Sequence, residues 1–246
     1  MKAMILAAGL GTRLRPLTDD RPKALVEVAG HPLLEITLRR LREFGVTEVI
    51  VNAHHFADKV VDYLKNNNFG MRVEISREDE LLDTGGGLKK AAWFFQEDSS
   101  QQPFLLHNVD VISTIELSRM IQFHEEHHAL ATLAVQHRAT SRYLLFDEKD
   151  QLCGRRAGPD GAAQMARPAG EARALAFCGV HIISPSLLQL ITEQGVFSIV
   201  DSYLRLAAQG EKIAAFRADE FYWRDLGKPE NIAQAERDAS QHLVRL

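Results

Sequence analysis

Residues 3–8 form an unbroken apolar run that ends in glycine, the pattern of a strand buried on both faces and feeding a loop. Leu33, Leu34, Leu38 and Leu41 then recur at helical spacing, and Gly45 stands where such a helix would stop. The alternation continues with a strand at 48–52, a helix near 56–64, a strand at 72–76, a helix from about residue 88 and an apolar strand at 104–106. Strands and helices taking turns predict an α/β fold, a three-layer sandwich whose mixed, mostly parallel sheet is covered on both faces. Beyond Asp110 the pattern loosens into a helix at 116–126 and strands at 131–135, 143–146 and 177–183. Helices at 198–208 and 229–239 follow, with a short strand at 222–225 between them. The stretch 155–174, rich in Gly, Pro, Ala and Arg, has neither period and is expected to be an excursion or mobile loop.

Composition narrows the picture without changing it. A chain of 246 residues, 46% of them hydrophobic, suits one large α/β domain better than two ordinary ones. A formal net charge of −4 argues against a nucleic-acid surface, which needs a basic stripe. Cys153 and Cys178 are too few for a disulfide framework and read as small buried hydrophobes. Neither a secretory leader nor an apolar span of about 18 residues is present, so the expected address is the cytoplasm, with no membrane partner.

Chemistry begins directly after the first strand. Leu6-Ala7-Ala8-Gly9-Leu10-Gly11-Thr12-Arg13-Leu14 sets two glycines and two hydrogen-bonding side chains where an open α/β sheet binds its ligands. Gly9 and Gly11 let backbone N–H groups approach an anion, and Arg13 can fork onto two phosphate oxygens. Taken alone, the glycine pair is equally a tight turn. The dinucleotide fingerprint needs a further glycine where Leu14 stands, and the Gly-Lys-Ser/Thr of a P-loop is absent. Pro16-Leu17-Thr18 and Pro22-Lys23-Ala24-Leu25 follow, so Lys23 brings a second cation onto a proline-restricted loop.

The whole run LAAGLGTRLRPLTDDRPKALVEVAGHPLLE resembles the signature of the sugar nucleotidyltransferases, which combine a Gly-x-Gly-Thr-Arg loop, a Pro-Lys pair and a Gly-x-Pro turn. The resemblance implies a Rossmann-like nucleotidyltransferase fold and transfer of a nucleoside monophosphate from an NTP to a sugar 1-phosphate, with release of pyrophosphate. By motif match Ala8, Gly9, Gly11, Thr12, Arg13 and Lys23 contact the nucleotide, with Arg13 and Lys23 neutralising the reacting phosphates. The family's two carboxylate motifs correspond to Asn108-Val109-Asp110 and Trp223-Arg224-Asp225-Leu226-Gly227-Lys228-Pro229-Glu230. Asp110 and Asp225 are therefore the expected ligands of Mg²⁺, which takes few protein carboxylates. Singly, each is as readily a turn or N-cap residue. Asn108 and Gly179 are the expected sugar-phosphate contacts.

Two departures stand out: Val109 replaces the family's glycine, and Arg142-Tyr143-Leu144 lacks the glycine that many relatives carry after an Arg-Tyr pair. Leu82-Asp83-Thr84-Gly85-Gly86-Gly87 is expected to be an open loop in which Gly85 and Gly86 read the base, while Asp83 or Thr84 is equally a helix cap. The triple glycine is similar to that of the short uridylyltransferases acting on N-acetylmuramate 1-phosphate, an enzyme class of cell-envelope sugar metabolism. Mannose- or heptose-type guanylyltransferases are the alternative. Residues 1–110 are expected to serve the nucleotide and 111–240 the sugar phosphate, in a monomer or homodimer without an appended β-helix.

Other classes remain. His124-Glu125-Glu126-His127-His128 satisfies the His-Glu-x-x-His pattern of zinc peptidases, although no third ligand follows at a recognised spacing and the histidines equally complement a helix C-terminus. A nucleotide-binding regulator without turnover is the remaining reading, against which two separated aspartates weigh.

Overall fold

The computed structural model describes residues 1–97 and 101–246. The first apolar run forms β1 (Lys2–Leu6), whose side chains alternate between two cores: Ala3 and Ile5 enter one, Met4 the other. A small hairpin of β2 (Glu27–Val28) and β3 (His31–Pro32) leads into α1 (Leu33–Glu43), which stops at Gly45 with a φ of 78°. β4 (Glu48–Ala53), α2 (Ala57–Asn66) and β5 (Arg72–Arg77) continue the alternation, with β4 parallel to β1 and β5 parallel to β4. After α3 (Asp83–Lys90) and α4 (Ala92–Gln96), β6 (Phe104–Asn108) lies parallel to β1 on its other side.

The later half adds β7 (Val111–Ser113), α5 (Leu117–Glu126), β8 (Ala131–Gln136), β9 (Arg142–Phe146), β10 (Leu152–Ala157) and β11 (Ala163–Met165). The eleven-residue β12 (Arg173–Ile183) then runs antiparallel to β6, β8 and β9. α6 (Leu187–Leu190), α7 (Ile199–Ala208), β13 (Ile213–Arg217), β14 (Trp223–Asp225) and α8 (Pro229–Ser240) complete the chain, with β13 parallel to β8. The mixed sheet divides two buried layers. One is covered by α1, α2, α5 and α8, the other by α3, α4, α6 and α7. This is the α/β/α sandwich that the two-faced apolar runs predict. No helix among the described residues is long and apolar enough to cross a membrane.

Two expectations need correction. The stretch 155–174 is not wholly an excursion: it carries the end of β10, all of β11 and the start of β12, joined by turns, with β10 paired to β9 and β11 to β10 at the sheet edge. Its outer strand is exposed along its whole length, so no apolar period marked it. The triple glycine is also no open loop: Gly85, Gly86 and Gly87 lie buried inside α3.

The sheet parts along one edge of β12. There β9 pairs with 173–176 and β6 with 180–183, while β8 covers the opposite edge. Between β9 and β6, the stretch 177–179 has no ladder partner on that edge, and the register against β8 shifts there. Buried carbonyls still require donors. Arg138 Nη2 supplies one to the Phe177 carbonyl at 2.7 Å, and Trp223 Nε1 one to the Cys178 carbonyl at 2.7 Å. That parting opens a cavity.

Candidate active site

Two cavities meet at Asn108, the last residue of β6. The smaller, about 330 Å³, lies over the ends of β1 and β6 and takes Ala8, Gly9, Lys23, Asp83, Thr84 and Asp110 into its wall. The larger, about 870 Å³, fills the parting beside β12 and takes Arg13, Arg138, Arg142, Gly179, Trp223 and Asp225. The two strand-end aspartates thus face different chambers.

Their spacing is set by backbone. β7 continues from Asp110 and pairs antiparallel with β14, with Val111 opposite Asp225. The Leu226 N–H donates to the Asp110 carbonyl at 2.7 Å, which ties the second carboxylate motif to the first. Lys23 reaches across from its loop to form an ion pair with Asp110, the two side chains being only 12% and 14% exposed. The Gly227 N–H donates to Asp225 Oδ1 at 2.6 Å. A Cβ at Gly227 would lie 2.5 Å from Arg13 Nη2 and 2.6 Å from Asp225 Oδ1, so guanidinium and carboxylate crowd one point that only glycine leaves free. Each aspartate therefore has a cation beside it.

A buried polar relay fixes the wall of the smaller chamber. The Ala7 N–H donates to Asn52 Oδ1 at 2.6 Å, Asn52 Nδ2 donates to Glu78 Oε1 at 2.7 Å, and Glu78 Oε2 accepts the Leu82 N–H at 3.1 Å. Asn52 and Glu78 are 2% and 3% exposed. The relay joins the loop after β1 to the start of α3, and satisfied in this way it rigidifies the cavity wall. Sequence reasoning missed both residues. The available signal was, for Asn52, a polar side chain directly after the apolar run Val49-Ile50-Val51; Glu78, which follows the mixed strand β5, carried no such signal.

Sequence-predicted residues divide as follows. Ala8, Gly9, Lys23 and Asp110 line the smaller chamber, Arg13, Gly179 and Asp225 the larger, and Asn108 both. Gly11, Thr12, Gly85 and Gly86 line neither. Gly11 holds a φ of 67° at the turn into a short 3₁₀ segment over Thr12–Leu14, on which Thr12 and Arg13 are exposed. The Gly85 and Gly86 N–H groups donate to the Phe197 carbonyl at 2.9 and 3.3 Å, so the expectation that these amides are open to a base is corrected. Their neighbours Asp83 and Thr84 face the cavity instead. Gly179 holds a φ of 74°, and a Cβ there would lie 2.8 Å from Asn108 Nδ2, so the two expected sugar-phosphate residues form one unit.

Val109 is 3% exposed, does not occupy the left-handed backbone region and donates its N–H to the Leu6 carbonyl at 3.1 Å. A β-branched side chain is at ease there. The histidine-rich helix end is arranged for structure. His124 engages Thr132 Oγ1 at 2.9 Å through Nδ1 and Ser184 Oγ at 3.0 Å through Nε2, and burial lowers its pKa to about 4. His128 lies past the end of α5 with a φ of 47°, so the pair does not share a helical face as two zinc ligands would.

Comparison with known proteins gives the following. The family model described as nucleotidyl transferase matches residues 2–242. An N-acetylmuramate alpha-1-phosphate uridylyltransferase of Caulobacter vibrioides is 35% identical over 243 residues, covering 95% of each chain. A probable mannose-1-phosphate guanylyltransferase of Oryza sativa is 31% identical over 93% of this chain and 62% of its own length. Among solved structures, HddC from Yersinia pseudotuberculosis complexed with GMP-PN superposes with a TM-score of 0.76 at 22% identity, covering 97% and 99% of the two chains. UDP-glucose pyrophosphorylase from Acinetobacter baumanii gives a TM-score of 0.79 at 20% identity, covering 98% and 94%.

Proposed function

This chain belongs to the nucleotidyl transferase family, and from that premise we propose how its two chambers divide the work of a sugar-1-phosphate nucleotidyltransferase. The reaction class is transfer of a nucleoside monophosphate from an NTP to a sugar 1-phosphate, giving an NDP-sugar and pyrophosphate. Our reading gives the smaller chamber to the nucleotide and the larger to the sugar phosphate. One observation carries it: the chambers meet at Asn108, with a carboxylate and a cation on each side, Lys23 with Asp110 and Arg13 with Asp225.

In this arrangement an oxygen of the sugar phosphate attacks the α-phosphorus of the NTP in line with the departing pyrophosphate. One P–O bond forms as another breaks, with no covalent enzyme intermediate. Both reactants are anions, so the barrier is set by charge repulsion. Lys23 gives a compact point charge on the nucleotide side, and Arg13 a two-pronged donor facing the incoming phosphate. Asn108, packed closely against Gly179, orients the junction. Asp110 and Asp225 are hard oxygen donors on adjacent strand ends, a set that fits Mg²⁺, and they would hold it. When bound, that ion supplies charge neutralisation of the kind phosphoryl transfer requires.

For substrates we take UTP and N-acetylmuramate 1-phosphate as the leading pair, supported by the relative that matches along nearly its whole length. A mannose-type 1-phosphate with GTP is the second reading, supported by the rice relative, of which this chain spans 62%. The setting is cytoplasmic, where NTPs are made. Pyrophosphate release measured over four NTPs and a panel of sugar 1-phosphates should give one strong combination. Asp110→Asn should lower that turnover by about 10³-fold or more, as removal of a charge-stabilising group does, with its circular dichroism unchanged. Full activity in that variant would remove Asp110 from the mechanism.

A further inference from the structure

Resting on this assignment of the larger chamber to the sugar phosphate, its charge does not balance. Arg13, Arg138, Arg142, Arg224 and Lys228 line it against Asp225 and Glu230. Arg224 is answered outside the chamber by Asp238 at 2.9 Å, and Lys228 lies 3.9 Å from Glu230. Arg13 stands beside Asp225 at the phosphate end. Arg138 and Arg142 form no ion pair with a described residue.

Arg138 is also held in place. Its guanidinium lies 3.6 Å from the centroid of the Trp223 ring, and Nη2 donates to the Phe177 carbonyl. Nε is buried with no partner. Burial already disfavours its charge, lowering its pKa. A buried cation with unmet donors is costly, and an anion delivered with the substrate would lift that cost. Trp223 and Asp225 share one face of β14 two residues apart, so Arg138 stands about 7 Å along the strand from the phosphate-side carboxylate. That is the far side of a sugar ring whose phosphate lies at Asp225. Arg142, at the exposed start of β9, flanks the same end.

We infer that Arg138, supported by Arg142, recognises a carboxylate carried by the sugar itself, so that the acceptor is an acidic sugar 1-phosphate with a second negative group remote from its phosphate. N-acetylmuramate 1-phosphate, with its lactyl ether, has that chemistry; N-acetylglucosamine 1-phosphate is the same ring with a hydroxyl in place of the lactyl group. Arg138 also satisfies the Phe177 carbonyl, so the test must separate recognition from support.

The full chain and its Arg138→Gln and Arg142→Gln variants are assayed for pyrophosphate release with the four NTPs and both sugars, together with the lactyl methyl ester of the muramate form. The unmodified chain should favour the free-acid sugar over the other two by at least about 100-fold in kcat/KM, the scale on which a polar site rejects a substrate that leaves it unpaired. Arg138→Gln should lose about 30-fold or more on the acid sugar, chiefly in KM. It should change by less than about threefold on the two neutral ones, as expected where the lost group made no contact. Arg142→Gln should show the same selectivity with a smaller loss and serves if the first variant does not fold. Equal use of the acid sugar and its ester, or equal losses on all three sugars, overturns the inference. Absence of pyrophosphate with every combination refutes the enzymatic reading instead, and calorimetry then decides recognition: binding of the acid sugar phosphate but not its ester supports it, equal binding overturns it.

Discussion

His107, His124 and His181 are imidazoles buried in the sheet and its flank, and each is held neutral. Burial is the main cause in all three, lowering the pKa to about 4 for His107 and His124 and to about 3 for His181. Around His107 stand Arg40, which lowers it further, the Asn108 carbonyl and Asp110; around His181 stand His107 and the Tyr203 hydroxyl at 2.8 Å. A group whose folded pKa lies below its unfolded value of 6.5 keeps the folded state favoured above that value and loses the advantage as the pH falls toward the folded pKa. Between pH 7 and 5 each imidazole should cost up to about 2 kcal/mol. The urea midpoint should fall across that window, and less steeply in His181→Asn. A midpoint constant from pH 7 to 5 would refute the assignment. At this scale the motifs put Arg13, Lys23, Asp110 and Asp225 beside strand ends, and the folded chain has them on the walls of the two cavities there. Sequence reading had no means of finding Asn52 or Glu78, whose roles come from partners 45 and 26 residues away.

Among the elements, α3 departs furthest from its local propensities. Three glycines cost a helix roughly 1 kcal/mol each relative to alanine, and a sequence reader rightly sees a loop. Tertiary contact overrides that preference. A Cβ on Gly86 would lie 2.5 Å from the Gly195 carbonyl oxygen, one on Gly87 2.8 Å from Asn52 Nδ2 and from Glu78 Oε1, and one on Gly85 would run into the Phe197 ring. The helix must lie that close because Phe197 and Ile199 hydrogen-bond to its first turn, the latter through Thr84 Oγ1 at 3.0 Å. Gly86→Ala should therefore destabilise the protein by about 1–3 kcal/mol, the usual cost of overpacking against backbone, despite alanine's better propensity. Denaturant unfolding checks it, and a gain in stability would show that the contact yields. The edge strand β11 was illegible for a different reason: a strand exposed at every residue carries no alternation to read. The short run at β13 went unread although it is apolar and buried, because so brief a stretch beside a helix gives no distinct period.

For the whole molecule, alternation of strands and helices was enough to predict the sandwich, since each two-faced strand needs a layer on either side. The order of the strands was not predictable, because it depends on which distant edges meet. In the folded chain β12 bridges the two halves, pairing with β6 from one and with β8 and β9 from the other. A sheet shared this way should unfold as one unit. Trp93 lies in the earlier half and Trp223 in the later, so Trp93→Phe and Trp223→Phe leave one fluorescent reporter in each. Both reporters and far-ultraviolet circular dichroism should give coincident urea transitions, and separated midpoints would mean that the halves melt independently.

The parting along β12 also bears on how such a protein diversifies. The floor of the larger chamber is main chain, sealed by two side chains, and its far wall is the connection from β8 to β9, which contributes no ladder hydrogen bond. None of residues 137–141 pairs in a ladder of the sheet, so an exchange there has only to keep a donor where Arg138 meets the Phe177 carbonyl. On the proposed division of the chambers, the paired cations and carboxylates on either side of Asn108 stay fixed by strand ends and loops, and the choice of acceptor becomes a matter of replacing one short connection.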